Sequence, residues 1–229
     1  MAPATEICFL PLKEGTNPED TTGAVGQKFK EFFNTILAQD GCQRLYWGRQ
    51  VEHPSICTLF IDWESVGHHE KFIASATYKP FTEELGTYLT GPPRLYHVHF
   101  DPHPPAVALV DDGPIATEFI TVYFPPDYSA EDEKTFREVN MKNLLAAVAE
   151  NAKGFKDSAS GWVVEELDLP DGSGKAKVFV ALAGWESVQA HLNFRETQSF
   201  KDNIHWLRGA KDLKTLAVFH VPAQEAHKS

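Results

Sequence analysis

Histidines are the residues of this chain whose type and placement best suit acid–base chemistry. The sequence has ten of them, and imidazole titrates near neutral pH, so a placed histidine can serve as general acid or base. His69 and His191 occupy one position in two similar stretches of sequence, each near the start of a predicted helix. A residue that recurs in this way could make a structural hydrogen bond or take part in catalysis, and both roles stay open.

His97 is the candidate general base of the first half of the chain. It aligns with Val218 in the second half, so the fold is expected to tolerate an apolar side chain at this position. Along a strand His97 shares a face with His99, which aligns with His220. We therefore predict that His97 is a catalytic residue. The alternative is that it is a buried structural histidine whose nitrogens are hydrogen-bonded.

Three polar residues form the candidates of the second half. Arg137 lies four residues before Met141 and seven before Leu144, inside an apolar helical stripe, and Asn140 flanks it. Such a group would line a pocket between helix and sheet, or extend along the edge of the stripe into water. His205 completes this set of predicted catalytic residues.

Aromatic side chains are predicted to contact a flat substrate, because an aromatic wall suits a phenolic ring. The predicted substrate contacts are Trp63, Trp185, Tyr96 and Phe33. The two tryptophans also suit a role as packing anchors. No glycine-rich phosphate loop is present, and the pair His97-x-His99 alone is too little for a metal site. The sequence therefore predicts no cofactor and no metal.

Charge and composition exclude several classes of partner. With 32 acidic and 21 basic residues the formal net charge is −11, which argues against binding nucleic acid or an anionic membrane surface. No apolar stretch approaches the roughly 20 residues that span a bilayer. The three cysteines show no CxxC spacing, so free thiols in a reducing compartment are expected. These features predict a cytoplasmic protein.

The chain repeats itself, which sets its organisation. Trp-Glu-Ser-Val at 63–66 recurs at 185–188, and Ala-Thr-Glu at 4–6 recurs at 116–118. The predicted parts are a first repeat at 1–100, a stiff, extended proline-rich linker at 101–114, a second repeat at 115–222 and a tail at 223–229.

Each repeat is predicted to contain a strand, a helix, a two-stranded hairpin, a helical region and a closing strand. This order, β-α-β-β-α-β, is the ferredoxin-like unit of an α+β protein. The runs at 56–61 and 178–183 are apolar without alternation, so these strands are expected to be covered on both faces. We therefore predict two ferredoxin-like repeats that form a single-chain dimeric α/β-barrel.

The repeated tetrapeptide is followed by His69 and Phe72 in one copy and by His191 and Phe194 in the other. On such a unit this pattern resembles the antibiotic-biosynthesis monooxygenase branch of the dimeric α/β-barrel superfamily, here in tandem. The resemblance implies a pseudo-dimer within one chain, with a further homodimer left open. It also implies a cofactor-independent enzyme of secondary metabolism that oxygenates, cyclises or decarboxylates a small aromatic or polyketide-like molecule.

Two alternatives to this enzyme stay open. One is a non-catalytic α/β-barrel that binds a ligand or responds to stress, since binding and catalysis need the same apolar cavity. The other is haem binding or degradation, which the sequence favours less. Haem-degrading relatives place their ligand histidine where this chain has Thr82 and Ile204, and His205 lies one residue away.

Overall fold

The computed structural model describes residues 2–109 and 115–228. The chain divides into two compact units. The first contains the residues up to His97 together with those from Val221 onward, and the second contains Val98–His220. Among the described residues, no helix has the length and apolar character that crossing a membrane requires. Cys8, Cys42 and Cys57 are free thiols, as predicted.

The first unit follows the predicted element order. Its elements are β1 (Ala4–Pro11), α1 (Ala24–Leu37), β2 (Cys42–Arg49), β3 (Ile56–Trp63), α2 (Val66–Ile73), α3 (Tyr78–Gly86) and β4 (Arg94–Asp101), of which the last four residues lie in the second unit. Helix α1 buries Phe29, Phe32, Phe33 and Ile36, which recur at the spacing of one helical face.

The second unit repeats this order with more irregular helices. Its elements are a short 3₁₀ helix (Pro105–Ala108), β5 (Ala116–Phe124), α4 (Ala130–Thr135), a π-helical turn (Phe136–Met141), α5 (Lys142–Asn151), β6 (Phe155–Val163), β7 (Leu167–Asp168), β8 (Lys175–Trp185), α6 (Val188–Arg195), α7 (Gln198–Asn203), α8 (His205–Arg208) and β9 (Thr215–Val221), followed by β10 (Gln224–Glu225), which lies in the first unit. Ser129 caps α4 by accepting a hydrogen bond from the backbone N–H of Asp132.

Part of the predicted linker is packed core. Within 101–114, the 3₁₀ helix is followed by Leu109, and Ala108 and Leu109 are completely buried. The Thr117 hydroxyl donates a hydrogen bond to the Ala108 carbonyl at 2.6 Å. The segment differs from a stiff extended linker because Ala108 and Leu109 are packed away from solvent, while Val107 between Ala106 and Ala108 stays exposed. Residues 110–114 lie outside the described residues.

The central strand pairs of the two units, β1–β3 and β5–β8, are paired in the same register. In the first unit the strand order is β10-β2-β3-β1-β4, and Ala4 of β1 lies opposite Trp63 of β3. In the second unit the order is β6-β8-β5-β9, and Ala116 of β5 lies opposite Trp185 of β8. Nearly every residue of β3 and β8 is buried, as their apolar runs predict. Each first strand therefore presents its glutamate beside the tryptophan that ends the neighbouring strand.

Candidate functional site

Four side chains of the first unit meet where β1, β3, α2 and β4 come together. Glu6 of β1 lies opposite Ile61, so Trp63 is its diagonal neighbour across the strand pair. The Trp63 indole N–H donates to Glu6 Oε2 at 2.9 Å. Helix α2 begins just after β3 and places the imidazole of His69 on the indole of Trp63, with ring centres 5.2 Å apart and planes 16° apart.

The Nδ1 atom of His69 faces both remaining partners. It lies 2.9 Å from Nε2 of His97 and 3.4 Å from Oε2 of Glu6. Glu6, His69 and His97 are all at least 95% buried. The structure therefore brings together two residues predicted from the sequence, His69 and His97, around a carboxylate that was not predicted.

The second unit holds the same four residue types in the same elements. The Trp185 indole N–H donates to Glu118 Oε2 at 3.1 Å, and the His191 ring stacks on Trp185 with centres 5.0 Å apart. His191 Nε2 lies 3.3 Å from Glu118 Oε1, while its Nδ1 lies 2.8 Å from Nε2 of His220. Here the carboxylate and the second histidine contact opposite nitrogens of the central imidazole, whereas in the first unit both contact Nδ1.

Burial changes the acidity of the second carboxylate. Removal from water raises the pKa of Glu118 from 4.5 to about 7, although the hydrogen bond from Trp185 and the charge of Arg195 lower it in part. A carboxyl group with this pKa exchanges its proton near neutral pH. Such a group is suited to act as a general base.

Each cluster lies at the wall of an apolar cavity. The first-unit cavity has a volume of about 60 Å³ for the centres of water-sized molecules and is lined by Glu6, His69, Trp63 and Phe33 among mainly apolar side chains. The second-unit cavity has about 50 Å³ and is lined by Glu118, His191 and Trp185. One water needs about 10–15 Å³ and an apolar cavity of about 150 Å³ binds benzene, so each cavity has room for a few waters and must widen to admit a benzene-sized ring.

Tyr96, a predicted substrate contact, does not line the first-unit cavity. Its ring packs against Phe9, with centres 5.9 Å apart. Leu95, the preceding residue of β4, lines the first-unit cavity. Since successive side chains of a strand point to opposite faces, Tyr96 lies on the other side of the sheet.

The structure also removes three predicted residues from the second-unit cavity. Arg137 is exposed and pairs with Glu138 at 3.1 Å, because the π-helical turn makes Phe136, five residues before Met141, the buried position. The Asn140 side chain donates to the Trp206 carbonyl at 2.8 Å. The exposed His205 has Nδ1 2.8 Å from the Asp202 carbonyl. Described residues that line this cavity include none of the three.

The alignment of the closing strands needs a correction of two residues. His97 contacts the central histidine of its unit just as His220 contacts His191, so His97 and not His99 is the counterpart of His220. Val218, the expected counterpart of His97, is 39% exposed. A shift by two keeps every side chain on its face of the strand, so alternation alone could not detect the error.

The sequence reasoning missed the two glutamates, Glu6 and Glu118. The signal was present, because the Ala-Thr-Glu repeat marks both positions. Acidic residues on a strand usually face water, so the sequence alone does not reveal that these two are buried beside the histidines.

No family model and no curated protein matches the chain. Among solved structures, an anthrone oxidase-like protein is 16% identical with a TM-score of 0.67, covering 100% of this chain and 96% of that chain. A proposed monooxygenase from Fusobacterium nucleatum subsp. nucleatum ATCC 25586 is 12% identical with a TM-score of 0.60, covering 98% and 94%. A proposed monooxygenase from Lactobacillus acidophilus NCFM is 16% identical with a TM-score of 0.59, covering 100% and 97%.

These likenesses extend over nearly the whole of each chain and show the fold. They confirm the predicted fold class, an α+β protein of two ferredoxin-like repeats in tandem.

Proposed function

We propose that the protein is a cofactor-independent oxygenase of a small phenolic or polyketide-derived ring compound, with its reaction in the second-unit cavity. The observation that carries the proposal is the position of Glu118. Its carboxyl group is buried, has a pKa of about 7, lines an apolar cavity and is held by Trp185 and His191. The names of the structurally similar monooxygenases support this class of reaction.

In the proposed reaction Glu118 removes a proton from a ring-activated CH₂ or hydroxyl group. The N–H group of Trp185 and the Nε2 atom of His191, 3.3 Å from the carboxylate, hold Glu118 in place, so little reorganisation accompanies the transfer. The resulting delocalised anion passes electrons to O₂. For a CH₂ substrate, one oxygen atom enters the product as a carbonyl group and the other leaves as water. For a phenol, one oxygen atom replaces the hydrogen on the ring carbon para to the hydroxyl group, which gives a quinone, and the other again leaves as water. Both reactions balance without a bound cofactor.

The cavity limits the substrate. At about 50 Å³ it is smaller than an apolar cavity that binds benzene, so side chains at its wall must move even for one ring. The apolar residues Ile120, Leu144 and Ala183 suit the face of that ring. A fused polycyclic substrate would require larger movements of the same wall. We therefore place single-ring phenols ahead of polycyclic ones.

Oxygen uptake with a panel of single-ring phenols, benzylic ketones and anthrone tests the proposal. The assay contains a chelator, and products are analysed by mass spectrometry after reaction in ¹⁸O₂. Glu118→Gln should lower the rate by roughly 10²–10⁴-fold, the usual contribution of a general base. Glu6→Gln makes the same change in the first unit and should leave the rate within a few-fold.

Three results would contradict the proposal. Retained activity in a folded Glu118→Gln protein would remove this carboxylate from the reaction. Loss of activity in Glu6→Gln alone would place the reaction in the first unit. Binding of the panel compounds without oxygen uptake would favour the ligand-binding alternative.

A further inference from the structure

The three polar side chains of the first-unit cluster have ligand atoms that converge. A carboxylate oxygen of Glu6, Nδ1 of His69 and Nε2 of His97 all lie within 4.8 Å of one another. Two of the separations are 2.9 Å between the imidazole nitrogens and 3.4 Å between His69 Nδ1 and Glu6 Oε2. An ion about 2.0–2.1 Å from each ligand holds adjacent ligands about 2.9–3.4 Å apart, so these two separations match those around one metal ion.

We propose that Glu6, His69 and His97 bind one divalent transition-metal ion of the Zn²⁺ or Fe²⁺ class. Two imidazoles and one carboxylate are a donor set that both ions use, and the set leaves coordination positions open. Glu6 and His69 line the first-unit cavity, so the open positions face that cavity. The site is separate from the proposed reaction at Glu118.

The surroundings favour a cation over an anion at this point. Glu6 is the only acidic residue among the described residues that line the cavity, and no lysine or arginine lines it with Glu6. The negative charge of a carboxylate attracts a cation and repels an anion at this place. The indole N–H of Trp63 already orients the carboxylate, which is the role of an outer partner at a metal site.

The second unit supplies an internal comparison. Glu118, His191 and His220 are the same residue types, but the carboxylate and His220 contact opposite edges of the central ring. One ion cannot reach a single nitrogen of His191 and both other ligands in that arrangement. Accordingly, among the described residues only the first-unit cluster brings three such atoms together. The proposal therefore predicts one ion per chain, not two.

Titration of the chelator-treated full-length protein with Co²⁺ alone tests the site, because d–d absorption bands between about 500 and 650 nm report nitrogen and oxygen coordination. A parallel calorimetric titration with Zn²⁺ gives the stoichiometry. We expect one equivalent for the wild-type protein. Loss of an outer partner typically weakens a site 10–100-fold, so loss of the ligand in Glu6→Gln should weaken binding at least about 100-fold.

Two further variants guard against misfolding. His97→Gln should also weaken binding at least about 100-fold, while Glu118→Gln, the matched change in the second unit, should bind one equivalent with unchanged affinity. Circular dichroism and thermal melts in chelator establish that each variant is folded. Any of three results would overturn the proposal. These are the absence of binding by the wild-type protein up to 1 mM metal, the binding of two equivalents of metal per chain, and unchanged metal affinity in a folded Glu6→Gln protein. Oxygen uptake measured in chelator tests the proposed function separately, so one proposal can fail while the other stands.

Discussion

Glu118→Gln should make the protein more stable at high pH while removing its proposed activity. The Glu118 carboxyl group is buried, and burial from water raises its pKa to about 7. At pH 8 the folded protein therefore holds a charge in an apolar place that the unfolded chain would leave in water. Glutamine has nearly the same shape and carries no charge.

The magnitude follows from the two pKa values. In the unfolded chain the group titrates near 4.5, and in the folded protein near 7. Between these pH values the folded state binds a proton that the unfolded state has lost. The contribution of Glu118 to the free energy of unfolding is therefore most favourable below pH 4.5 and falls as the pH rises to about 7. At about 1.4 kcal/mol per pH unit, the folded state loses about 3 kcal/mol by pH 8.

Urea unfolding of the wild-type protein and Glu118→Gln at pH 4.5 and pH 8 measures this effect. The difference in stability between the two proteins should move by about 3 kcal/mol in favour of the variant from the lower to the higher pH. The amide contacts Trp185 and His191 less well than the carboxylate does, so the comparison of the two pH values is the decisive quantity. Glu166→Gln, at an exposed position, is the control and should show no such change.

Activity gives the second half of this prediction. A base must be unprotonated, so kcat/KM of the wild-type protein should rise with pH through about 7 and then level off. A variant that is stable and inactive at pH 8 separates the chemical role of Glu118 from a structural one. A stability difference that is equal at pH 4.5 and pH 8 would refute the reasoning, because it would mean that Glu118 titrates alike in the folded and unfolded states.

Three smaller predictions concern the scaffold. Ser129→Ala removes the cap of α4 and should cost about 0.5–2 kcal/mol in urea unfolding, and no loss would show that the cap is dispensable. Gly161→Ala would place a Cβ 2.1 Å from the backbone oxygen of His99, so β4 and β6 must separate locally. The melting temperature should fall by several degrees, and an unchanged melting temperature would contradict this packing. His97→Val removes the hydrogen bond to His69 and should lower the free energy of unfolding in urea by about 1–3 kcal/mol. A nearly unchanged stability would instead support the alignment of His97 with Val218.

The repeat made the fold predictable from the sequence. The tetrapeptides at 63–66 and 185–188 end strands whose apolar residues do not alternate, and this places β3 and β8 at the buried centre of each sheet. The helical stripe of α1 was equally clear, because four apolar residues recur on one face. Each of these signals is local and survives without knowledge of the tertiary contacts.

The candidate site was less predictable because its geometry depends on features that a regular pattern hides. The π-helical turn moves Arg137 out of a stripe that a regular α-helix would place toward the core. The closing strands differ in register by two residues, which alternation cannot detect, so His97 was matched to Val218 instead of His220.

The repeats therefore share residues and differ in how those residues meet. Glutamate, tryptophan and two histidines recur in both units, and conservation of their types alone would suggest two equal sites. The nitrogen that each carboxylate faces is different: Glu6 and His97 meet at one nitrogen of His69, while Glu118 and His220 lie at opposite nitrogens of His191. In the first unit three potential ligand atoms lie close together. In the second unit Glu118, His191 and His220 form a chain of polar contacts along which a proton can pass. A chain with two copies of one scaffold can in this way hold a metal ion in one unit and a base in the other. The two proposed roles do not compete, because the ion would use the lone pairs of Glu6, His69 and His97, whereas the base is Glu118.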